Sequence, residues 1–342
     1  MKTIHVILSV VMVVPIFIYL IYRNTEKISA TVQQIEPLIV PEPMKMKTKV
    51  NNASCIDNTF RSVYSYQTKW KINTDVCNGC FNFVKTRLKT SKGVIPIHVY
   101  TPKEDKFVSS RIIQYGLFEA PKIDLLLKYL KSDPSLNFID IGANLGVFTL
   151  NVAKFGRKVL AVEALNKNVQ HLCLSVRDGK LQNNIKIIHN ALSDKSGVTV
   201  NLGVDVNNMG GTFVDDEAEN TKKVKQYWHL EIGGTYGSVN TFTLDNLLDL
   251  EEMKDFKNVI IKIDIEGFEY KALIGGQKFF DSINIKAVFM EWVFHKGTSS
   301  GKKIIDFMIK RNFIPYLENG AKELDPSKSE AWDWNVLWLR KV

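Results

Sequence analysis

Asp140 in "FIDIGANLG" and Glu163 in "VLAVEAL" each close a short apolar run, about twenty residues apart. Between them lies the glycine turn Gly142-Ala143-Asn144-Leu145-Gly146, which leads into helical spacing. Glycine at 142 lets the backbone turn sharply, and the loop then presents main-chain N–H groups to whatever lies across the strand end. An acid at the end of the next strand accepts the hydroxyl protons of a ribose. The turn and the acid together point to a bound adenosine.

The charge at the first strand end narrows the choice. A dinucleotide fingerprint has the pattern G-x-G-x-x-G, with a pyrophosphate over the helix N-terminus. Asp140 would repel that phosphate and suits a ligand with a positive amino group. S-adenosylmethionine carries such a group and a sulfonium, and has no phosphate. It is therefore the expected cofactor, ahead of NAD.

A second constellation is "KIDIEGFE". Lys262, Asp264 and Glu266 occupy alternate positions, so on a strand they share one side, with the latter two near its carboxyl end. Methyl transfer from a sulfonium is an in-line displacement that needs an aligned acceptor and, for a hydroxyl, removal of a proton. Asp264 is the first choice as base or acceptor orienter, with Lys262 stabilising a developing alkoxide and Glu266 second. His295, in "MEWVFHKG", is a further candidate base. Each has a competing reading: Glu266 and Glu269 as helix-dipole partners, Asp264 as a carboxylate satisfied by backbone, His295 as an exposed loop residue. Glu291 is ambiguous in the same way. A divalent metal shared by Asp264 and its neighbours is an open alternative; no complete ligand set is legible, and none is assigned. "WDWNVLW" fits stacking on a sugar or base, or alternate core positions of a last strand.

The positioning elements alternate from about Glu104. "APKIDLLLKYLKS", "GVFTLNVAKF", "NKNVQHLCLSVRDGK" and "SGKKIIDFMIKRN" have helical spacing. "NFIDI", "KVLAVEA", "IKIIHNAL", "NVIIKI", "IKAVFMEW" and "NVLWLRK" are apolar runs of strand length, and a helix is expected after "TFTLDNLLDL". Such alternation implies an α/β chain with a parallel sheet covered on both faces. The stretch 195–242 breaks the rhythm and reads as a hairpin excursion.

"FIDIGANLGVFTL", "VLAVEALNKN", "IHNALSDKSG", "TLDNLL" and "IIKIDIEGFEYKALIGG" resemble, in order, the motifs of FkbM-type methyltransferases, class I enzymes dependent on S-adenosylmethionine. The likeness spans residues 112–340. It implies a Rossmann-like doubly wound sheet of order 3-2-1-4-5-7-6 with the last strand antiparallel. It also implies that Asp140, Gly142, Ala143 and Asn144 hold the methionine end, with Gly146 completing the turn, and that Glu163 holds the ribose. Asn190 and Ala191 would lie beside the adenine.

Around that domain, expected at 106–342, the sequence suggests a signal-anchor at 1–23, a stem at 24–51 and a cysteine-containing cap at 52–105. Ile4 to Tyr22 is 19 residues without Asp, Glu, Lys or Arg, close to the ~20 that cross a bilayer as a helix. A cleaved signal peptide is the competing reading. "NAS" at Asn52 is a glycosylation sequon. Cys55, Cys77 and Cys80 cluster after the stem and are expected to contain a disulfide, while Cys173 reads as a buried thiol. These features point to a single-pass membrane protein of the Golgi or endoplasmic reticulum with a lumenal catalytic domain. The expected activity is O-methylation of an acceptor hydroxyl, plausibly on a glycan. The alternatives are a nucleic-acid or small-molecule methyltransferase, a silent cofactor-binding scaffold, and, more remotely, an NAD-dependent oxidoreductase. The net charge of +9 would suit nucleic acid, but the lysines are scattered along the chain and a nucleic-acid partner is not expected.

Overall fold

The computed structural model describes residues 53–57, 60–205, 208–215, 222, 224 and 236–341, all within the unit Lys45–Val342. The apolar N-terminal run, the stem and Asn52 lie outside the described residues. Among the described residues no helix is long and apolar enough to cross a membrane.

The described residues begin with six short strands: β1 (Ser54–Ile56), β2 (Val63–Tyr66), β3 (Trp70–Ile72), β4 (Gly79–Phe81), β5 (Val84–Thr90) and β6 (Gly93–Val99). Two helices follow, α1 (Val108–Tyr115) and α2 (Ala120–Ser132), and then the alternation β7 (Asn137–Ile141), α3 (Val147–Phe155), β8 (Val159–Glu163), α4 (Asn166–Asp178), β9 (Ile185–His189). After the short β10 (Ala191–Leu192), β11 (Thr199–Asp205) and β12 (Asn208–Val214) form the expected hairpin, and β13 (Ser238–Phe242) returns beside β11. The chain closes with β14 (Asn258–Ile263), α5 (Glu269–Ile274), α6 (Gln277–Ser282), β15 (Asn284–Glu291), α7 (Ser299–Ile309), β16 (Phe313–Leu317) and β17 (Asn335–Arg340).

The main sheet runs β16-β17-β15-β14-β7-β8-β9-β2-β3. Its first seven strands give the order expected from sequence, with β17 antiparallel to both β15 and β16. β2 joins parallel to β9 and β3 antiparallel to β2, extending the far edge by two strands. Side chains alternate between the two faces, as the pleat requires. Phe138, Ala161 and Ile260 join Leu126 of α2, Leu150 of α3 and Leu172 of α4 on one side. Ile139, Leu160 and Ile261 join Leu273 of α5, Phe280 of α6 and Ile304 of α7 on the other. Strands buried on both faces are continuous apolar runs, which is why they were readable.

Two expectations are corrected. "TFTLDNLLDL" gives β13 and then 3-10 turns at Leu244–Asp249 and Glu251–Asp255, not a helix of ordinary length. The side chains of Thr243 and Asn246 close a capping box on the first turn, and the extended backbone of Leu250 separates the two. Cys173 is buried but not a thiol: it bridges Cys77, while Cys55 bridges Cys80. The second bridge joins facing residues of β1 and β4; the first ties the N-terminal strands to α4.

Candidate functional site

A cavity of about 380 Å³ opens at the carboxyl ends of the strands, within the size range of small-molecule sites. The sheet order divides it. Glu163, Ala164, Asn190 and Ala191 line the half over β8 and β9; Lys262, Asp264, Glu266, Glu291 and Trp334 line the half over β14, β15 and β17. Gly142, Ala143 and Asn144, after the intervening β7, lie between, and Leu202, Thr212 and Phe213 of the hairpin form a further wall.

The turn after β7 depends on its glycine. Gly142 has φ +79°, and a Cβ there would fall 1.8 Å from the carbonyl oxygen of Asp264. Its N–H and that of Ala143 each donate to the Val162 carbonyl at 3.0 Å. Asn144 follows with φ 51° and donates its N–H to Glu163 Oε2 at 2.7 Å. The second carboxylate oxygen, Oε1, accepts from Leu165 N at 2.8 Å. Burial raises the Glu163 carboxyl, against the lowering effect of those N–H donors. Oε1 also accepts from Asn168 Nδ2 at 3.4 Å, so of the about four acceptor sites of a carboxylate one on Oε2 is left for a ribose hydroxyl.

Asp140 lies beneath this loop and is not among the lining residues. It is 1% exposed, and Thr149 of α3 donates its hydroxyl to Oδ2 at 2.6 Å. Oδ1 is buried with no hydrogen-bond partner. Expected from sequence at the methionine end of the cofactor, Asp140 sits below the turn and does not line the cavity in this structure. Gly146, also away from the cavity, caps α3 at φ 84°, where a Cβ would meet Leu172 Cδ1 at 2.3 Å. Asn190 lines the cavity with its side-chain amide fully used: Oδ1 accepts from Tyr66 N, and Nδ2 donates to the carbonyls of Tyr66 and Asn240. A cradle that admits no Cβ, a buried acid with acceptor capacity left and an orphaned oxygen below the loop all fit an adenosine cofactor with a cationic end.

Lys262, Asp264 and Glu266 meet in the other half, but not by strand alternation. β14 ends at Ile263, and Glu266 reaches the cavity through a left-handed turn, φ 52°, ahead of Gly267 at φ 89°. Lys262 Nζ lies 3.1 Å from Asp264 Oδ2 and 3.3 Å from the Gly142 carbonyl. Burial works to raise the Asp264 carboxyl, yet the ammonium groups of Lys262 and Lys122 outweigh it and hold the group below its ordinary range. Glu291, at the end of β15, goes the other way: burial and then the carboxylates of Glu266, Asp264 and Glu269 push it well above the ordinary range. Asp264, Glu266 and Glu291 bring carboxylate oxygens within 4.8 Å of one another. Such oxygens are the kind a hard cation takes, and Lys262 already places a positive charge beside them.

His295 is elsewhere. It is 1% exposed, not on an open loop, with Nε2 2.7 Å from Glu269 Oε2 and Nδ1 3.0 Å from Ser300 Oγ. It fastens α5 to the start of α7 and does not line the cavity. Glu269, in turn, accepts from Ile265 N at 2.9 Å and so helps fix the turn that carries Glu266. Sequence reasoning did not single out Phe107, Arg111, Phe148 or the hairpin residues Leu202 and Phe213, all of which line the cavity. Phe148 sits inside the quoted "GVFTL" stretch, where it reads as one more apolar helix residue; the others approach from segments with no local signature.

Comparison with known proteins matches residues 140–315 to the Methyltransferase FkbM domain, a little over half of the chain. No curated protein gives a significant match. Among solved structures, the precorrin-6y C5,15-methyltransferase of Geobacter metallireducens GS-15 is similar at 8% identity and a TM-score of 0.32, over 64% of this chain and 88% of that one. Cofactor-bound Rv0187 from MTB is similar at 12% and 0.36, over 65% and 80%. The O-methyltransferase from Bacillus cereus in complex with SAH is similar at 10% and 0.33, over 66% and 82%. The matched domain begins at Asp140 and takes in Gly142, Glu163 and the whole Lys262–Glu266 turn, so the chain belongs to the FkbM family of S-adenosylmethionine-dependent methyltransferases.

Proposed function

We propose that the protein methylates a hydroxyl group, carried on a glycan or glycoconjugate, in the lumen of the secretory pathway. The observation that carries the chemistry is the pairing of Asp264 with Glu291, two carboxyl groups in one cavity driven in opposite directions. Groups pushed apart in this way mark a base and a proton donor. Bound S-adenosylmethionine supplies an electrophilic methyl group. Asp264, held ionised by its ammonium neighbours, would receive the proton of the acceptor hydroxyl as that oxygen takes the methyl group. Lys262, at 3.1 Å from Asp264, steadies the negative charge that develops nearby. Glu291 keeps its proton and offers a hydrogen bond to the acceptor. The hairpin wall at Leu202 and Phe213 helps to keep water out.

The compartment is supported by cysteine usage. All four cysteines are in disulfides, and such bonds persist chiefly in oxidising compartments. The apolar run from Ile4 to Tyr22 would anchor the chain in a Golgi or endoplasmic-reticulum membrane, and an acceptor met there is commonly glycosidic. The test is to incubate the protein with labelled S-adenosylmethionine and a broad panel of released glycans. Label is expected on at least one glycan hydroxyl; no transfer across the panel would contradict the reading.

A further inference from the structure

Trp334 is 49% exposed and lines the same cavity as Asp264 and Glu291. One exposed indole is unremarkable by itself, but its setting is specific. Its carbonyl accepts from Trp292 N at 2.7 Å and Val293 N at 3.1 Å, so its backbone is fixed to the residues that follow Glu291. The neighbouring tryptophans are core: Trp292, Trp332 and Trp338 are buried and packed on one another. Trp334 alone of this group turns outward. A second aromatic, Phe107, is also 49% exposed and lines the cavity with Arg111. The backbone of Phe107 is held by Asp105, a buried carboxylate that accepts from the N–H groups of Phe107, Val108 and Ser109 at the start of α1.

The rim is therefore aromatic and the floor carboxylic. β17, which Trp334 precedes, is two strands from β14, which Asp264 follows. At a strand spacing of about 4.8 Å the two positions are roughly 10 Å apart across the sheet. A sugar ring has an apolar C–H face and a rim of hydroxyls. Laid flat on an exposed indole, it leaves its hydroxyls pointing sideways.

We propose that Trp334 is the acceptor platform: a pyranose ring stacks on its indole and presents a hydroxyl to Asp264. This rests on the glycan reading above and names the residue that selects the acceptor. The exposed ring lies across the cavity from Glu163, Asn190 and Ala191, which line the opposite half.

The experiment uses the full-length protein, W334A and W334F, with labelled S-adenosylmethionine, released glycans and, as a separate arm, oligonucleotides. S-adenosylhomocysteine affinity is measured for all three proteins. For W334A the KM for the glycan is expected to rise about 10-fold, the worth of one aromatic stack, with kcat within about 3-fold of wild type. Affinity for S-adenosylhomocysteine should be unchanged, and W334F should recover most of the KM. Glycan methylation by W334A with wild-type KM would overturn the platform and leave the glycan reading standing. Loss of S-adenosylhomocysteine binding in W334A would make the ring structural and overturn it too. A wild type that methylates oligonucleotides and no glycan would remove the glycan reading and the sugar with it.

Discussion

Asp264 and Glu291 share one cavity, one strand apart, and their proton affinities move in opposite directions for a visible reason. Burial raises both, but two ammonium groups face Asp264 and outweigh it, whereas three carboxylates face Glu291 and add to it. The pH dependence follows from those signs. Asp264 loses activity only as pH falls through its lowered value, so the acid limb of the rate should lie below the ordinary carboxylate range. Glu291 is protonated below its raised value and loses its donor proton as pH rises through it, so the rate should decline on the alkaline side. Glutamine at 291 cannot ionise. E291Q should retain most activity at neutral pH and flatten the alkaline decline, measured as kcat/KM against pH. An unchanged alkaline decline in E291Q would mean that another group sets it.

The bridge from Cys77 to α4 spans 96 residues of sequence and fixes the N-terminal strands to the helix that follows Glu163. The double variant C77S/C173S should lose about 2–4 kcal/mol of stability, read from urea unfolding; an unaltered midpoint would show that packing holds the join by itself. That contact was hidden in the sequence. Cys173 lies among the buried Leu172, Leu174 and Val176 of α4, where a sulfur looks like any other core side chain. The strands around the site were plain by contrast, because β7, β8 and β14 are buried on both faces and read as apolar runs between glycine turns. β2 was not, since it pairs with β9 more than a hundred residues away and nothing local marks the partner. Glu266 was found for the wrong geometric reason: alternation places it on a strand, whereas Gly267 lets the chain leave the sheet and swing the side chain in from a turn. Trp332, Trp334 and Trp338 share the same parity, yet β17 begins only at Asn335, so alternation could not separate the exposed ring from the buried ones.

The full chain combines an apolar N-terminal run, a sequon at Asn52, two disulfides and a cofactor-binding sheet. Expressed in animal cells, it should resist carbonate extraction from membranes and shift in mobility after N-glycosidase treatment. A soluble, unmodified protein would contradict lumenal placement without touching the chemistry. The proposed reaction uses both halves of the cavity, with the cofactor assigned to the half over β8 and β9 and the acceptor to the half over β14 and β15. The most direct test is methyl transfer by wild type and D264N, with S-adenosylhomocysteine affinity measured in parallel. D264N should bind S-adenosylhomocysteine as wild type does and turn over about 10²- to 10⁴-fold more slowly. A D264N protein that transfers methyl groups at the wild-type rate would contradict the assignment of the base.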